Sequence, residues 1–300
     1  MVEATSTELQ GGKPQEIELW SNRRLIHPLS RRLAEALRST PVTPNAVSCM
    51  GVGASAAAAA CYWGLSWPAS VAAGFLCQIA WHVLDGADGE LARRTGRSSP
   101  SGEVVDGVCD YLGQFVLYSA LVLILARSLH GWAWALGLAS GLARVLQANS
   151  YESRRRNYQY WACGRGWLKQ SLGAGSRAAP RGWMAALAAA YLALSERVAG
   201  SCAELDAALS ERLRQGADVE RRTRLLYRRI QAPAVNAAAP LSANARTIAI
   251  GVSMLAGTPL YFFVYESVGL SLFLLWSLRL QAQADRALLA ALGASHEPPE

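Results

Sequence analysis

Apolar residues in this chain are gathered into long blocks near residues 46–84, 104–149 and 247–278. Charge is nearly absent from these blocks, apart from one acidic cluster. Runs of roughly 18 or more apolar residues have the length to cross a bilayer as helices. Breakers divide the blocks further. Pro41 and Pro44 interrupt the chain, Thr43 can cap the helix that follows, and Pro44 suits its first position. A first helix is predicted over 45–64 and, after the turn at Trp67-Pro68, a second over 68–93. The polar loop 94–101 leads to a third helix over 102–126. A turn at Arg127–Gly131 precedes a fourth over 132–150, where Gly137 and Gly141 are spaced for close helix packing. A fifth over 244–264 and a sixth over 267–284 follow, with Glu266 in the tight turn between them. The pattern predicts an all-α, polytopic membrane protein with six transmembrane helices.

The polar remainder completes the organisation. Residues 1–18 read as a disordered N-terminus without the apolar core of a signal peptide, so the first span would act as the targeting signal. Over 19–38, Trp20, Leu25, Ile26, Leu29, Leu33 and Leu37 recur at three- and four-residue steps among Arg23, Arg24, Arg31, Arg32 and Arg38. That pattern predicts an interfacial amphipathic helix. It groups with the first four spans as 19–150. Residues 151–243 read as a basic cytoplasmic helical insertion. Its segment 183–198 is apolar but short for a span, 203–231 alternates charge with apolar residues, and Pro233 and Pro240 close it. Residues 244–284 carry the last two spans and 285–300 form a C-terminal tail. Six spans place both termini on one side. The outer turns near 65–67, 127–131 and 265–267 hold one basic residue, Arg127, so the termini, the 94–101 loop and the insertion are predicted to be cytoplasmic.

Composition changes this picture little. The 300 residues are 52% hydrophobic with a net charge of +7. The arginines flank apolar blocks, which assigns them to membrane topology and anionic headgroups rather than to nucleic acid. Six cysteines without a CxxC pair read as reduced small hydrophobes. No internal repeat is visible, which disfavours a transporter built from duplicated halves.

The chemistry lies in 85–110, DGADGELARRTGRSSPSGEVVDGVCD. Asp85 and Asp88 are three residues apart near the cytoplasmic end of the second span, and Asp106 and Asp110 are four apart on the third. Each pair therefore shares a helix face. A short loop makes the helices antiparallel, so the pairs can face each other. A single Asp at the centre of a membrane helix costs about 2.5–3.5 kcal/mol on insertion scales. Four converging carboxylates also repel one another. Arg93 and Arg94 could offset that charge in a purely structural network. Carboxylates in this number also suit hard divalent cations, Mg²⁺ or Mn²⁺, with substrate phosphate completing the shell. Gly89, Ala92 and Gly102 leave room beside the carboxylates. His82, one turn before Asp85, reads as a packed helix histidine.

These residues carry a resemblance. The CDP-alcohol phosphatidyltransferases share the signature D-x2-D-G-x2-A-R-x(7–9)-G-x3-D-x3-D. This chain reads Asp85-x2-Asp88-Gly89-x2-Ala92-Arg93-x8-Gly102-x3-Asp106-x3-Asp110, with every fixed position matched. Thr43-Pro44-Asn45 also resembles the family's entry to the first helix. The resemblance covers 20–150 by sequence and 244–284 by helix count, whereas the 151–243 insertion is longer than the family's usual connection. It implies six spans, a homodimer and two divalent cations in a cavity open to the cytoplasm. Asp85, Asp88, Asp106 and Asp110 would be metal ligands, with Asp110 also the general base. Gly89, Ala92, Arg93 and Gly102 would contact the CDP moiety.

The implied reaction moves a phosphatidyl group from CDP-diacylglycerol to a small hydroxylated acceptor and releases CMP. Donation from CDP-choline or CDP-ethanolamine to a diacylglycerol-like lipid uses the same motif. A reading of another class is a non-enzymatic transporter or scaffold. The motif leaves the acceptor open. Arg154, Arg155 and Arg156, just past the fourth span, would suit a phosphorylated acceptor, and they equally suit positive-inside topology.

Overall fold

The computed structural model describes residues 14–64, 66–164 and 202–294, and among them every regular element is helical. A π-turn at Asn22–Ile26 leads into α1 (His27–Leu37). Then come α2 (Pro44–Gly64), α3 (Ala69–Thr95), α4 (Pro100–Leu129) and α5 (Gly131–Cys163). After residues 165–201, which lie outside the described set, follow α6 (Ala203–Leu213), α7 (Ala217–Ala237), α8 (Ala243–Leu255), α9 (Leu260–Val264) and α10 (Leu270–Ala294). Three helical stretches among the described residues are long and apolar enough to cross a membrane: Pro44–Gly64, Ser101–Leu129 and Leu260–Gly293. The chain has the character of an integral membrane protein. α3 and α5 fall outside this group, and their sequences hold the Asp85–Arg94 cluster and Glu152–Arg156 respectively.

The chain divides into two compact units: Leu19–Arg144 with Ala243–Gly269, and Met1–Glu18 with Val145–Ser242 and Leu270–Glu300. The first unit carries the aspartates. Its helix boundaries follow local chemistry. The Thr43 hydroxyl accepts from the Ala46 amide at 3.2 Å, and Pro44 opens α2. Gly96 ends α3 with φ 66°, the left-handed conformation that costs glycine least. Ser99 caps α4 by accepting from the Gly102 amide at 3.1 Å, with Pro100 behind it. α1 docks on α3 at Gly86, where a Cβ would collide with the Ser30 hydroxyl; that hydroxyl donates to the Val83 carbonyl at 2.8 Å. α2, α3, α4 and the Phe262–Phe263 pair share an apolar core of Ala58, Tyr62, Val71, Leu117, Leu121 and Leu125. Gly137 packs against Val122, whereas Gly141 has open space around its Cα, so of that glycine pair the first serves helix packing.

The other unit is held by a mixed core of Ile17, Tyr158, Trp161, Leu205, Leu209, Tyr227, Leu288 and Leu292. Tyr158 donates to Glu16 at 2.9 Å and Asn236 to the Glu16 carbonyl at 2.7 Å.

Several boundaries differ from the sequence pattern. The fifth and sixth helices do not part at Glu266. They part at residues 256–259, where Gly257 takes φ 81° and Pro259 precedes α9. Glu266 lies instead in a π-turn, Tyr265–Gly269, that joins α9 to α10, and it is fully buried. Of the stretch 1–18 read as disordered, Gln15–Ile17 forms a 3-10 turn because Ile17 packs into the mixed core; residues 1–13 lie outside the described set. The tail read from 285 continues α10 to Ala294, since Leu288 and Leu292 have a core to enter. Pro233 does not close the insertion: it sits inside α7, where burial of Gln231, Ala234 and Val235 offsets the lost backbone hydrogen bond. The apolar segment 183–198 falls outside the described residues.

Candidate metal and nucleotide site

α3 and α4 run antiparallel through the short loop 96–99, so the aspartates of one helix meet those of the other. Asp85 and Asp88 come from α3, and Asp106 and Asp110 from α4. Asp85, Asp106 and Asp110 each offer one carboxylate oxygen, and the three oxygens lie within 4.8 Å of one another. Asp88 stands one contact away. It is buried, accepts from the Ser48 hydroxyl of α2 at 2.7 Å, and its carboxyl meets that of Asp106. Asp110 likewise meets Asp85. The structure thus assembles a trio with a fourth carboxylate behind it.

Like charges at this range are costly. Two unit charges 4 Å apart at an effective dielectric of 20 repel by about 4 kcal/mol. The two arginines that follow the aspartates are engaged elsewhere. Arg93 donates to Glu90 at 2.9 Å, and Arg94 donates to Glu90 at 2.8 Å and to Glu35 of α1. These arginines thus form an Arg–Glu network with Glu90 and Glu35. A donor set made entirely of carboxylate oxygens is the chemistry hard divalent cations take, so the cluster fits such a metal.

The small residues frame the cluster. A Cβ on Gly89 would stand 3.4 Å from Arg93 Nη1, which puts Gly89 and the half-exposed Arg93 side chain in one patch. A Cβ on Gly102 would come 3.2 Å from Ser99 Oγ and 3.7 Å from Asn45 Oδ1, so Gly102 faces the first turn of α2. Ala92 is half-buried on α3.

With this geometry, the family comparison is decisive. The model of the CDP-alcohol phosphatidyltransferase family matches residues 42–203, more than half of the chain. The chain belongs to the CDP-alcohol phosphatidyltransferase family. It is therefore a transferase of the kind that moves a phosphatidyl group from a CDP-alcohol, and its family uses divalent metal for catalysis. Family membership sets aside the transporter and scaffold readings. No curated protein matches the chain.

His82 is a packed histidine, buried against Trp81, with Nε2 at 2.9 Å from the Thr247 hydroxyl. Arg154 is buried and donates to the Ser277 carbonyl at 3.2 Å, while Arg155 and Arg156 pair with Glu152. Burial pushes the Arg154 pKa down to about 10, against the opposing pull of the Asp285 charge. Sequence reading missed Ser48; its one signal is a hydroxyl one turn into α2, on a helix otherwise rich in alanine and glycine.

Proposed function

We propose that this chain transfers the phosphatidyl group of CDP-diacylglycerol to a small hydroxylated acceptor and releases CMP. The observation that carries the reading is the convergence of Asp85, Asp106 and Asp110 within 4.8 Å, on the two helices that bear the full family signature. The acceptor oxygen forms a bond to the phosphorus of the phosphatidyl group, and the bond from that phosphorus to the CMP oxygen breaks. Two divalent cations, Mg²⁺ or Mn²⁺, supply charge stabilisation for the pyrophosphate when bound. Asp85, Asp106 and Asp110 would hold them, with Asp88 as the fourth ligand. Asp110 takes the proton of the acceptor hydroxyl, a role worth about 10²–10⁴-fold in rate. Gly89, Ala92 and Gly102 keep the helix surface low, so the cytidine and pyrophosphate can lie against it. Arg93, half-exposed in the same patch, meets the phosphates as a charged fork.

The membrane arrangement follows the same reading. α2, α3, α4, the first part of α5, α8 and the α9–α10 helix make six spans, with termini, insertion and active site on the cytoplasmic side. The outward surface supports this. Val104, Val108, Leu112 and Phe115 run down one exposed face of α4 while its aspartates point inward, the reverse of a water-facing helix. Trp63, Trp67, Trp132 and Trp134 are exposed near the ends of α2–α5 remote from the aspartates, as at a membrane–water boundary. Residues 19–38 lie at the opposite interface, Trp20 and Leu25 exposed toward lipid. Assembly is as the homodimer that the family resemblance implies.

The deciding experiment uses the purified chain in nanodiscs with CDP-diacylglycerol, Mg²⁺ and labelled glycerol phosphate, serine, inositol or inositol phosphate. CMP release coupled to label entering lipid from one of these acceptors is expected. Transfer from CDP-choline to diacylglycerol instead would reverse the donor, and no CMP release from either donor would sink the assignment.

A further inference from the structure

The second unit holds a polar cavity to which phosphatidyl transfer gives no role. It lies between α5, α6, α7 and α10, and its lining includes Arg154, Trp161, Asp206, Gln231, Gln281 and Asp285. α7 and α10 lie wholly past residue 203, where the family match ends. Buried polar atoms need hydrogen-bond partners, and two side chains of this wall are short of them. Arg154 is 3% exposed and Gln281 8%. Arg154 Nη1 donates to the Ser277 carbonyl at 3.2 Å, while its Nε and Nη2 have no protein partner. Those two nitrogens form one edge of the guanidinium plane, a two-pronged donor. Gln281 Nε2 donates to Gln231 Oε1 at 2.7 Å and to Asp285 Oδ1 at 2.9 Å, and Gln231 Nε2 donates to Asp285 Oδ1 at 2.7 Å. These bonds fix which way the Gln281 amide faces. Its Oε1, also without a protein partner, is therefore an unused acceptor.

An occupant of this cavity has to accept from the Arg154 edge and donate to Gln281 Oε1. The wall's charge narrows the choice. One positive group, Arg154, faces two negative ones, Asp206 and Asp285, which disfavours an anion. An uncharged hydroxyl both accepts and donates. The enclosed space of about 20 Å³ holds one water or one hydroxyl. The cavity is open on one side, where the rest of a ligand can lie, and Trp161 and Tyr227 offer it aromatic surface. We propose that this cavity binds a small uncharged polyol, with one hydroxyl seated between the Arg154 edge and Gln281 Oε1. A free polyol and the sugar headgroup of a neutral lipid offer the same chemistry. The site is built from the second unit alone and does not depend on the metal reading of the aspartates.

The test uses the full chain in phosphatidylcholine nanodiscs. Saturation-transfer NMR with glycerol and with myo-inositol reads the free source. Binding is expected, about ten-fold weaker in Arg154→Lys, which keeps the charge and loses the two-pronged edge. Gln281→Leu should weaken it about five-fold. Melting midpoints show which variants fold, and Gln281→Leu carries the test if Arg154→Lys does not. For the lipid source, nanodiscs are doped with a neutral galactolipid. A rise in the wild-type melting midpoint that is lost in either variant assigns the site to a lipid headgroup. Polyol binding that persists unchanged in both variants lies elsewhere and overturns the proposal. It is also overturned if neither polyol nor galactolipid binds, since the cavity then holds water only. Binding of inorganic phosphate that depends on Arg154, without polyol binding, overturns the uncharged class.

Discussion

Two polar islands sit among the apolar helices of the aspartate-bearing unit, and they are built on opposite principles. Around Glu266, one carboxylate meets two guanidinium groups, a phenol and a hydroxyl, and every oxygen has a donor. Around Asp106, carboxylate meets carboxylate, and Asp88 accepts from the Ser48 hydroxyl and the Gly89 amide. The first island satisfies itself with protein groups. The second gathers like charges at close range, as a site for cations and phosphates does. Removing a partner from the first should harm folding; removing one from the second should harm turnover.

Excess chelator is expected to produce the largest effect. CMP release should fall to background in EDTA and return on adding Mg²⁺ or Mn²⁺; full activity in chelator would erase the contrast between the islands. Next is Asp110→Asn. Turnover should drop about 10²–10⁴-fold while CDP-alcohol binding persists, whereas Asp85→Asn and Asp88→Asn should weaken metal and nucleotide binding together. Binding and single-turnover rates measured separately decide it, and loss of binding by Asp110→Asn equal to the other two would leave Asp110 as a ligand only. Glu266→Ala leaves two buried guanidinium groups without their carboxylate and should cost about 3–5 kcal/mol of stability. Denaturant unfolding in mild detergent should show this as a fall in midpoint. Ser48→Ala removes the donor to buried Asp88, a hydrogen bond to a charged group worth about 1.5–3 kcal/mol. If Asp88 then turns toward the trio, Mn²⁺ affinity rises while stability falls, which would sharpen the distinction between the islands. The smallest change is expected from Arg94→Ala. Its pairs with Glu90 and Glu35 are solvent-exposed, such pairs contribute little, and the melting midpoint should stay within measurement error.

Much of this architecture was legible in the chain because local chemistry decides it. Thr43-Pro44 opens α2 where cap and breaker rules put it, while α3 runs two residues past the expected 93 to its Gly96 cap and α4 begins two residues before the expected 102, behind Ser99. The break between α8 and α9 is equally local, in Gly257 and Pro259, although the lone Glu266 points to a boundary further on. A lone glutamate in an apolar run looks like a loop residue when its partners are unknown. Tyr118 and Ser140 lie 148 and 126 residues away from it in sequence, and no periodicity points to either. Ser48 is similar: its meeting with Asp88 spans 40 residues and depends on how α2 crosses α3.

The sequence by itself determined the helical membrane character, the faces on which the four aspartates lie and the family to which they belong. Those properties depend on block hydropathy and on spacings of three and four residues, and both are fixed before any helix finds its neighbour. Only the tertiary structure decided which three carboxylates converge, that Asp88 leans on Ser48, that Arg93 and Arg94 turn to Glu90 and Glu35, and that Arg144 and Arg246 share Glu266. The physical reason is that a charge in a low-dielectric interior takes whichever partner the packing brings within a few ångströms. In this chain the packing of helices, and not their order in sequence, chooses that partner.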